Sequence, residues 1–161
     1  MNIRIAENKD LSAIVNIYNS TIPSRLVTAD TEIVSVDDKK DWFESFKEPR
    51  PIWVAEIDGN VIAWLSFKSF YGRPAYAGTI EIAIYISEAN RANGIGSVLL
   101  NFAIAQAKER NVHTLLAYIF EHNIPSIRFF KKHGFENYGV LPNVAIMDEK
   151  PYSLGIYGLK L

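Results

Sequence analysis

A carboxylate and a glycine loop stand close together in the middle of this chain. Glu81 interrupts the apolar run Thr79-Ile80-Glu81-Ile82-Ala83-Ile84-Tyr85-Ile86, and Arg91-Ala92-Asn93-Gly94-Ile95-Gly96 follows soon after. A strand, a loop with glycines and a helix, in that order, leave free backbone N–H groups at the positive end of a helix. That is an anion site, most often for phosphate. Gly94 and Gly96 have no Cβ, so a bulky anion can approach the backbone, and Arg91 adds a fixed charge and a planar donor fork. The dinucleotide fingerprint needs a further glycine where Leu99 stands, and a P-loop needs a lysine that Gly96-Ser97-Val98 lacks. A tight strand-to-helix turn with a helix cap is the plainer reading of the same residues.

Side chains alternate along a strand, so Ile80, Ile82, Ile84 and Ile86 share one face, and Thr79, Glu81, Ala83 and Tyr85 the other. Glutamate is disfavoured in so β-rich a run. Glu81 is either solvated on an open face or a partly buried general base, and its place on the strand feeding the anion loop favours the base. A second constellation is Asn123-Ile124-Pro125-Ser126 followed by Phe129-Phe130-Lys131-Lys132-His133-Gly134-Phe135. Asn123 can be the N-cap of a helix, or Asn123 and Ser126 can hydrogen-bond a ligand beside a strand end. His113, His122 and His133 have no metal-ligand spacing and there is no cysteine, so no metal site is expected and the histidines read as surface or structural. Trp42, Phe43 and Phe46 read as core, and Lys39-Lys40 as a solvated face.

The elements that must position these residues follow from periodicity and turn chemistry. Ile3–Ile5 is a short strand. Leu11, Ile14, Val15 and Tyr18 recur at helical spacing, with Asp10 as N-cap. Residues 21–34 are either a connector or a flexible wall over a site. Ser35 opens a second helix that Pro49 and Pro51 end. Ile52–Ile57, the Asp58-Gly59 turn and Val61–Phe70 make a hairpin. Tyr76–Ile86 leads into the glycine loop, and a long amphipathic helix runs from Ile95 to about Arg110. Val112–Ile119 is a strand, Asn123–Lys132 a helix ended by Gly134, and Phe135–Leu141 and Tyr152–Lys160 are closing strands. The order β-α-α-β-β-β-α-β-α-β-β predicts an α+β domain over 1–161. Its sheet is mixed, mostly antiparallel, with about seven strands flanked by about four helices.

With 161 residues, 48% hydrophobic and 22% charged, the chain is long enough for a sizeable core. Its net charge of −1 gives no field that argues for nucleic acid or an anionic membrane. The N-terminus is charged early and does not read as a signal peptide, and no apolar run approaches the ~20 residues of a membrane span. A cytoplasmic location is expected.

The Arg-x-x-Gly-x-Gly loop resembles the signature with which GCN5-related N-acetyltransferases hold the pyrophosphate of coenzyme A. The stretch from Asn123 to Phe135 resembles their second signature, Asn-x-x-Ser-x-x-Phe-Tyr-x-x-x-Gly-Phe, with Phe130 where many members carry a tyrosine thought to protonate the leaving thiolate. The chain is more specifically similar to phosphinothricin N-acetyltransferases and related small amino-acid N-acetyltransferases. That likeness runs through Ile17-Tyr18-Asn19, Thr28-Ala29-Asp30-Thr31-Glu32, Trp53-Val54-Ala55-Glu56, Arg73-Pro74-Ala75-Tyr76, the Glu81 strand and Gly94-Ile95-Gly96-Ser97. The resemblance implies the fold of that superfamily, acetyl-CoA as donor, a small-molecule amine as acceptor and a homodimer. It maps the family glutamate onto Glu81 and gives Arg73 and Tyr76 the task of holding the substrate carboxylate or oxyanion group. It gives Ile84, Tyr85 and Ile86, Arg91 to Ser97, and Asn123, Ser126 and Phe130 to the cofactor.

Acyl transfer from a thioester requires a neutral amine. An α-amine of pKa ~8 is about one-tenth neutral at pH 7, and a lysine side chain only about once in 2,500, so one carboxylate suffices for the former. The chain departs from the family at Met147-Asp148-Glu149-Lys150-Pro151-Tyr152-Ser153, where the usual lysine, tryptophan and aspartate are missing. That run borders the substrate in relatives. Two rival readings therefore stand beside the first: a different acceptor (a protein N-terminus, a polyamine or an aminoglycoside), or a non-catalytic acyl-CoA-binding module.

Overall fold

The computed structural model describes residues 1–161. Seven strands form one sheet: β1 (Asn2–Ile5), β2 (Ile52–Ile57), β3 (Asn60–Ser69), β4 (Thr79–Ile86), β5 (Thr114–Phe120), β6 (Glu136–Met147) and β7 (Lys150–Lys160). Their order across the sheet is β1-β2-β3-β4-β5-β7-β6, antiparallel except for β4 with β5. Four helices flank it: α1 (Leu11–Thr21), α2 (Lys40–Glu44), α3 (Ile95–Glu109) and α4 (Ile124–Lys132). This is the seven-strand, four-helix α+β arrangement that periodicity predicts.

Strand alternation sorts the core into two layers. Ile80 and Ile82 join the larger apolar cluster, with Leu99, Leu100 and Ala103 of α3 and Ile127 and Phe130 of α4. Ala83 and Tyr85 pack on the opposite face against Ile14 and Ile17 of α1, Phe43 of α2, and Val54 and Trp64. The two faces read from residues 79–86 are therefore both covered. Glu81 sits on the α1 side.

Several boundaries differ from the sequence reading, each for a local reason. Tyr76 does not begin β4. Pro74–Tyr76 form a 3-10 turn instead, with the Tyr76 N–H donating to the Arg73 carbonyl at 2.9 Å. Ser35 does start a helical segment through a reciprocal box with Asp38, but this is a 3-10 turn running into the single short helix α2. Asp10 stands at the N-cap position of α1, as expected, but its side chain makes no capping bond to that helix. Its buried carboxylate accepts the Glu7 N–H at 2.8 Å and both Arg4 terminal nitrogens at 2.7 and 2.9 Å, and the Arg4 guanidinium holds it below the usual carboxylate range.

The C-terminal hairpin is longer than expected. β6 continues past Pro142, because the register shift between Leu141 and Ala145 leaves that stretch unpaired and the missing proline N–H costs no ladder bond. The departing run at 147–153 is the tip of this hairpin. Asp148 and Glu149 lie at φ 49° and 63°, the left-handed pair of a type I′ turn, without the glycine or asparagine that announces one.

Candidate active site

The sheet is split in the middle. β4 and β5 pair only at Thr79–Thr114, Ile80–Leu115 and Glu81–Leu116. Beyond that point β3 holds β4 as far as Ile86, and β7 holds β5 as far as Phe120, so the two strands diverge with open edges facing each other. The Ser87 N–H donates to the Ile62 carbonyl, and this fixes the phase of the β3–β4 ladder. Residues 81, 83, 85 and 87 spend their backbone groups on β3, so those of Ile84 and Ile86 face the gap. Arg91 closes over its upper end, with Nε donating to the Ile86 carbonyl at 3.1 Å.

The gap opens into a cavity of about 460 Å³ lined by Glu81 to Tyr85, Ala117 to Phe120, Asn123, Ser126 and Phe130, with Val27 to Ala29 and Val144 as outer walls. Asn123 is the expected N-cap of α4, and its amide nitrogen ties the segment after α1 to the site. Its Oδ1 accepts the Ser126 N–H at 3.3 Å as the α4 N-cap, while its Nδ2 donates to the Leu26 carbonyl at 3.1 Å. Phe130 is buried among Phe129 and Phe135 at edge-to-face geometry, an apolar wall with no proton to give. The wall formed by residues 27–29 is anchored next door. His122 Nε2 donates to the Arg25 carbonyl at 2.7 Å, and the Arg25 guanidinium pairs with Asp148 at 2.8 Å. The long segment after α1 is thus a wall over the site, tied to the hairpin tip by the residues that replace the family pattern there.

At the head of α3, Ala92 and Gly94 take left-handed conformations at φ 63° and 78°. None of the N–H groups from Ala92 to Gly96 donates to a protein acceptor. Alternation of left- and right-handed residues makes a concave nest of N–H groups, and here it lies on a helix N-terminus. The two glycines differ in what they do. Gly94 has open space where a Cβ would stand, whereas a Cβ on Gly96 would sit 3.2 Å from the Phe129 ring. Ser97 is turned to α4: its hydroxyl donates to His133 Nε2 at 3.1 Å, while His133 Nδ1 donates to the Phe129 carbonyl at 2.8 Å. His133 is structural, as expected.

A second cavity, about 160 Å³, lies on the α1–α2 face and is lined by Tyr18, Lys39, Trp42, Trp64, Ser66, Lys68 and Glu81, among others. Glu81, Ala83 and Tyr85 border both cavities. Glu81 is partly buried, with Lys68 Nζ 3.7 Å from its Oε2. Three phenols surround this junction. Burial and a hydrogen bond to Asp30 push Tyr18 up to about 12. Burial raises Tyr85, and burial with the nearby Glu81 charge raises Tyr118. All three stay neutral donors at pH 7.

Arg73 and Tyr76 are not brought to either cavity. They lie exposed in the loop between β3 and β4, with Tyr76 packed edge-on against Phe70 at 5.3 Å. Lys39 is only partly exposed, not the fully solvated residue expected: its ammonium lies 4.8 Å over the Tyr18 ring and 5.4 Å from the Trp42 ring. Trp42 and Phe46 wall the cavity, and only Phe43 of that helix is core. Nothing in the local sequence marks Trp64 as a site residue. Its pairing with Tyr85, which puts it on the Glu81 face, depends on a register that the long loop after β3 leaves unspecified.

Two cavities meet at one carboxylate, and a nest of N–H groups lies in the loop that follows the same strand. The family model described as Acetyltransferase (GNAT) family matches residues 12–135, and this chain belongs to that family. It is 52% identical, over all of its length and 99% of the relative's, to a Bacillus subtilis protein provisionally named phosphinothricin acetyltransferase YwnH. It is 29% identical to the L-methionine sulfoximine/L-methionine sulfone acetyltransferase of Salmonella typhimurium, across 91% of this chain and 86% of that one. The solved structure of the Salmonella typhimurium protein yncA with its cofactor acetyl-CoA superposes with a TM-score of 0.91 at 28% identity, covering 100% of this chain and 94% of that one. No helix is long and apolar enough to cross a membrane.

Proposed function

We propose that residues 1–161 form one N-acetyltransferase domain that moves an acetyl group from acetyl-CoA to the primary amine of a small amino-acid-like substrate of the phosphinothricin or methionine sulfone/sulfoximine type. The observation that carries this is the position of Glu81, a partly buried carboxylate at the junction of the two cavities. The names of the relatives supply the substrate class.

The donor fits the residues present. The N–H groups of Ala92 to Gly96, with Ser97 closing the turn and Arg91 beside them, would hold its pyrophosphate. Backbone groups of Ile84 and Ile86 would pair with the pantetheine arm along Tyr85. Asn123, Ser126 and Phe130 would line its far side. When bound, it supplies an acyl group activated as a thioester. The protein's part is to bring a neutral amine to it. Glu81 would take the proton of the incoming ammonium, and a backbone N–H on the gap side of β4 would stabilise negative charge on the acyl oxygen. Phe130 is aprotic, so it would give no proton to the leaving thiol, which can depart as thiolate or be protonated by water. Arg73 and Tyr76 would hold the substrate carboxylate once the exposed loop folds toward Glu81.

The test is thiol release from acetyl-CoA with L-amino acids, methionine sulfone, methionine sulfoximine, phosphinothricin and spermidine as acceptors. Turnover on the amino-acid analogues, and little on spermidine, is expected. Acetyl-CoA binding with no turnover on any of them would overturn the assignment in favour of a binding module.

A homodimer belongs to the same proposal. The edge strand β6 exposes Val140, Leu141, Val144 and Ile146, the last 74% exposed, a long apolar edge that a lone chain leaves open. Sedimentation equilibrium should give twice the chain mass, and Ile146→Lys should shift the population toward monomer. A wild-type monomer at micromolar concentration would contradict the dimer. The cysteine-free composition fits a reducing compartment, and the cytoplasm is the proposed location.

A further inference from the structure

The smaller cavity beside Glu81 holds one buried hydrogen-bond donor with no protein acceptor and two lysine ammonium groups that make no hydrogen bond to the protein. Trp64 is 2% exposed, and its Nε1–H is buried with no acceptor in the protein. An indole N–H can only donate, and a buried one without a partner is costly. Trp64 lines this cavity, stacked flat on Tyr85 at 4.3 Å. Lys39 reaches the same cavity over two aromatic rings, and its ammonium makes no hydrogen bond to the protein. Asp30 Oδ2, at 4.0 Å, is beyond reach of one. Lys68 Nζ also stands off, 3.7 Å from Glu81. The walls between these donors are apolar or aromatic, from Val15, Trp42 and Phe46.

An apolar-walled cavity with convergent unused donors fits an apolar stem that ends in an oxygen acceptor. Its volume of about 160 Å³ admits a side chain of methionine size. Because Glu81 forms its rim, a substrate whose α-amine meets Glu81 can place its side chain here. We propose that Trp64 and Lys39 are specificity-determining residues that read an oxygen acceptor at the end of the acceptor amino acid's side chain: the Trp64 indole N–H donates to that oxygen, and the Lys39 ammonium supplies a second, charged donor. This rests on the reading of the chain as an amino-acid N-acetyltransferase, and it adds which substrates are preferred and why. A site that spends buried donors on a ligand oxygen discriminates strongly against the analogue without it, because the donors are then left unpaired.

The probes are L-methionine sulfone and L-methionine, which differ only in two side-chain oxygens, each assayed with saturating acetyl-CoA. The wild-type kcat/KM ratio of sulfone to methionine should exceed about tenfold. Trp64→Phe keeps an aromatic ring on Tyr85 but removes the N–H. It should lower that ratio at least about tenfold, chiefly through the KM for the sulfone. Lys39→Met keeps the apolar stem and should lower the ratio in the same direction. It carries the test if Trp64→Phe loses its near-UV circular dichroism and fails to fold. A wild-type ratio near one, or a ratio retained in both variants, overturns the proposal while leaving the acetyltransferase reading intact. Absence of turnover on every amino acid overturns that reading, and this inference with it.

Discussion

Glu81→Gln should lower kcat/KM for the amino-acid acceptor by about 10²- to 10⁴-fold at pH 7, the range that a positioned general base contributes. The substitution is nearly isosteric, and the native carboxylate makes one loose contact, to Lys68 at 3.7 Å. Fold stability should therefore stay within about 0.5 kcal/mol of wild type, as for substitutions away from packed or paired groups. Affinity for acetyl-CoA should also hold, because the N–H nest and the α4 wall lie at the far end of the gap. The split of the deficit between kcat and KM, followed across pH, separates a base from a binding group. Between pH 7 and 9 an α-amine of pKa ~8 goes from about one-tenth to about nine-tenths neutral. If Glu81 serves to remove that proton, the deficit of the variant falls on kcat and shrinks as the pH rises; if it serves only to grip the ammonium, the deficit falls on KM with kcat retained. Steady-state assays of both proteins from pH 6.5 to 9.5 decide this, and a variant with wild-type kcat/KM throughout removes Glu81 from the chemistry.

What was legible in the sequence was whatever local chemistry writes. Alternation in residues 79–86 assigned the two faces of β4, because a strand with both faces covered still alternates between two different layers. The glycine loop was legible because left-handed backbone and bare N–H groups need glycine nearby. Asn123 was legible as a cap because Asn-Ile-Pro-Ser is a helix start. What was not legible depends on register and on distant partners. The gap between β4 and β5 comes from pairing that stops at Glu81, and nothing in either strand announces where a ladder ends. Lys39 and Trp64 belong to different elements and meet only through the packing of α1 and α2 on the sheet. The pairing of Arg25 with Asp148 joins residues 123 positions apart, so the changed C-terminal run read as a loss of family residues rather than as a hairpin tip tied to the wall of the site. Arg73 and Tyr76, mapped by resemblance, lie on an exposed loop outside both cavities, a placement that local sequence does not encode.

Gly96→Val should weaken acetyl-CoA binding roughly 100-fold, about 2.8 kcal/mol. Gly96 is the point where two demands coincide. Its missing side chain is what lets the Phe129 ring of α4 pack on α3, since a Cβ would stand 3.2 and 3.3 Å from two ring carbons and 3.5 Å from Ile86 Cδ1. Its N–H is also one of the unpaired donors at the head of α3. The valine branches must push Phe129 and Ile86 outward or rotate the first turn of α3, and either movement disturbs the N–H groups that would meet the pyrophosphate. Overpacking of this kind costs about 1–3 kcal/mol, so the melting temperature should fall by several degrees as well. Gly94→Ala provides the comparison. That position has open space around it but a φ of 78°, so alanine costs about 1 kcal/mol of backbone strain without displacing α4. Calorimetric titration of both variants with acetyl-CoA should therefore rank Gly96→Val well below Gly94→Ala in affinity. Equal and near-wild-type affinities would mean that the loop does not hold the pyrophosphate, and the cofactor would then have to be anchored by the walls of the gap alone.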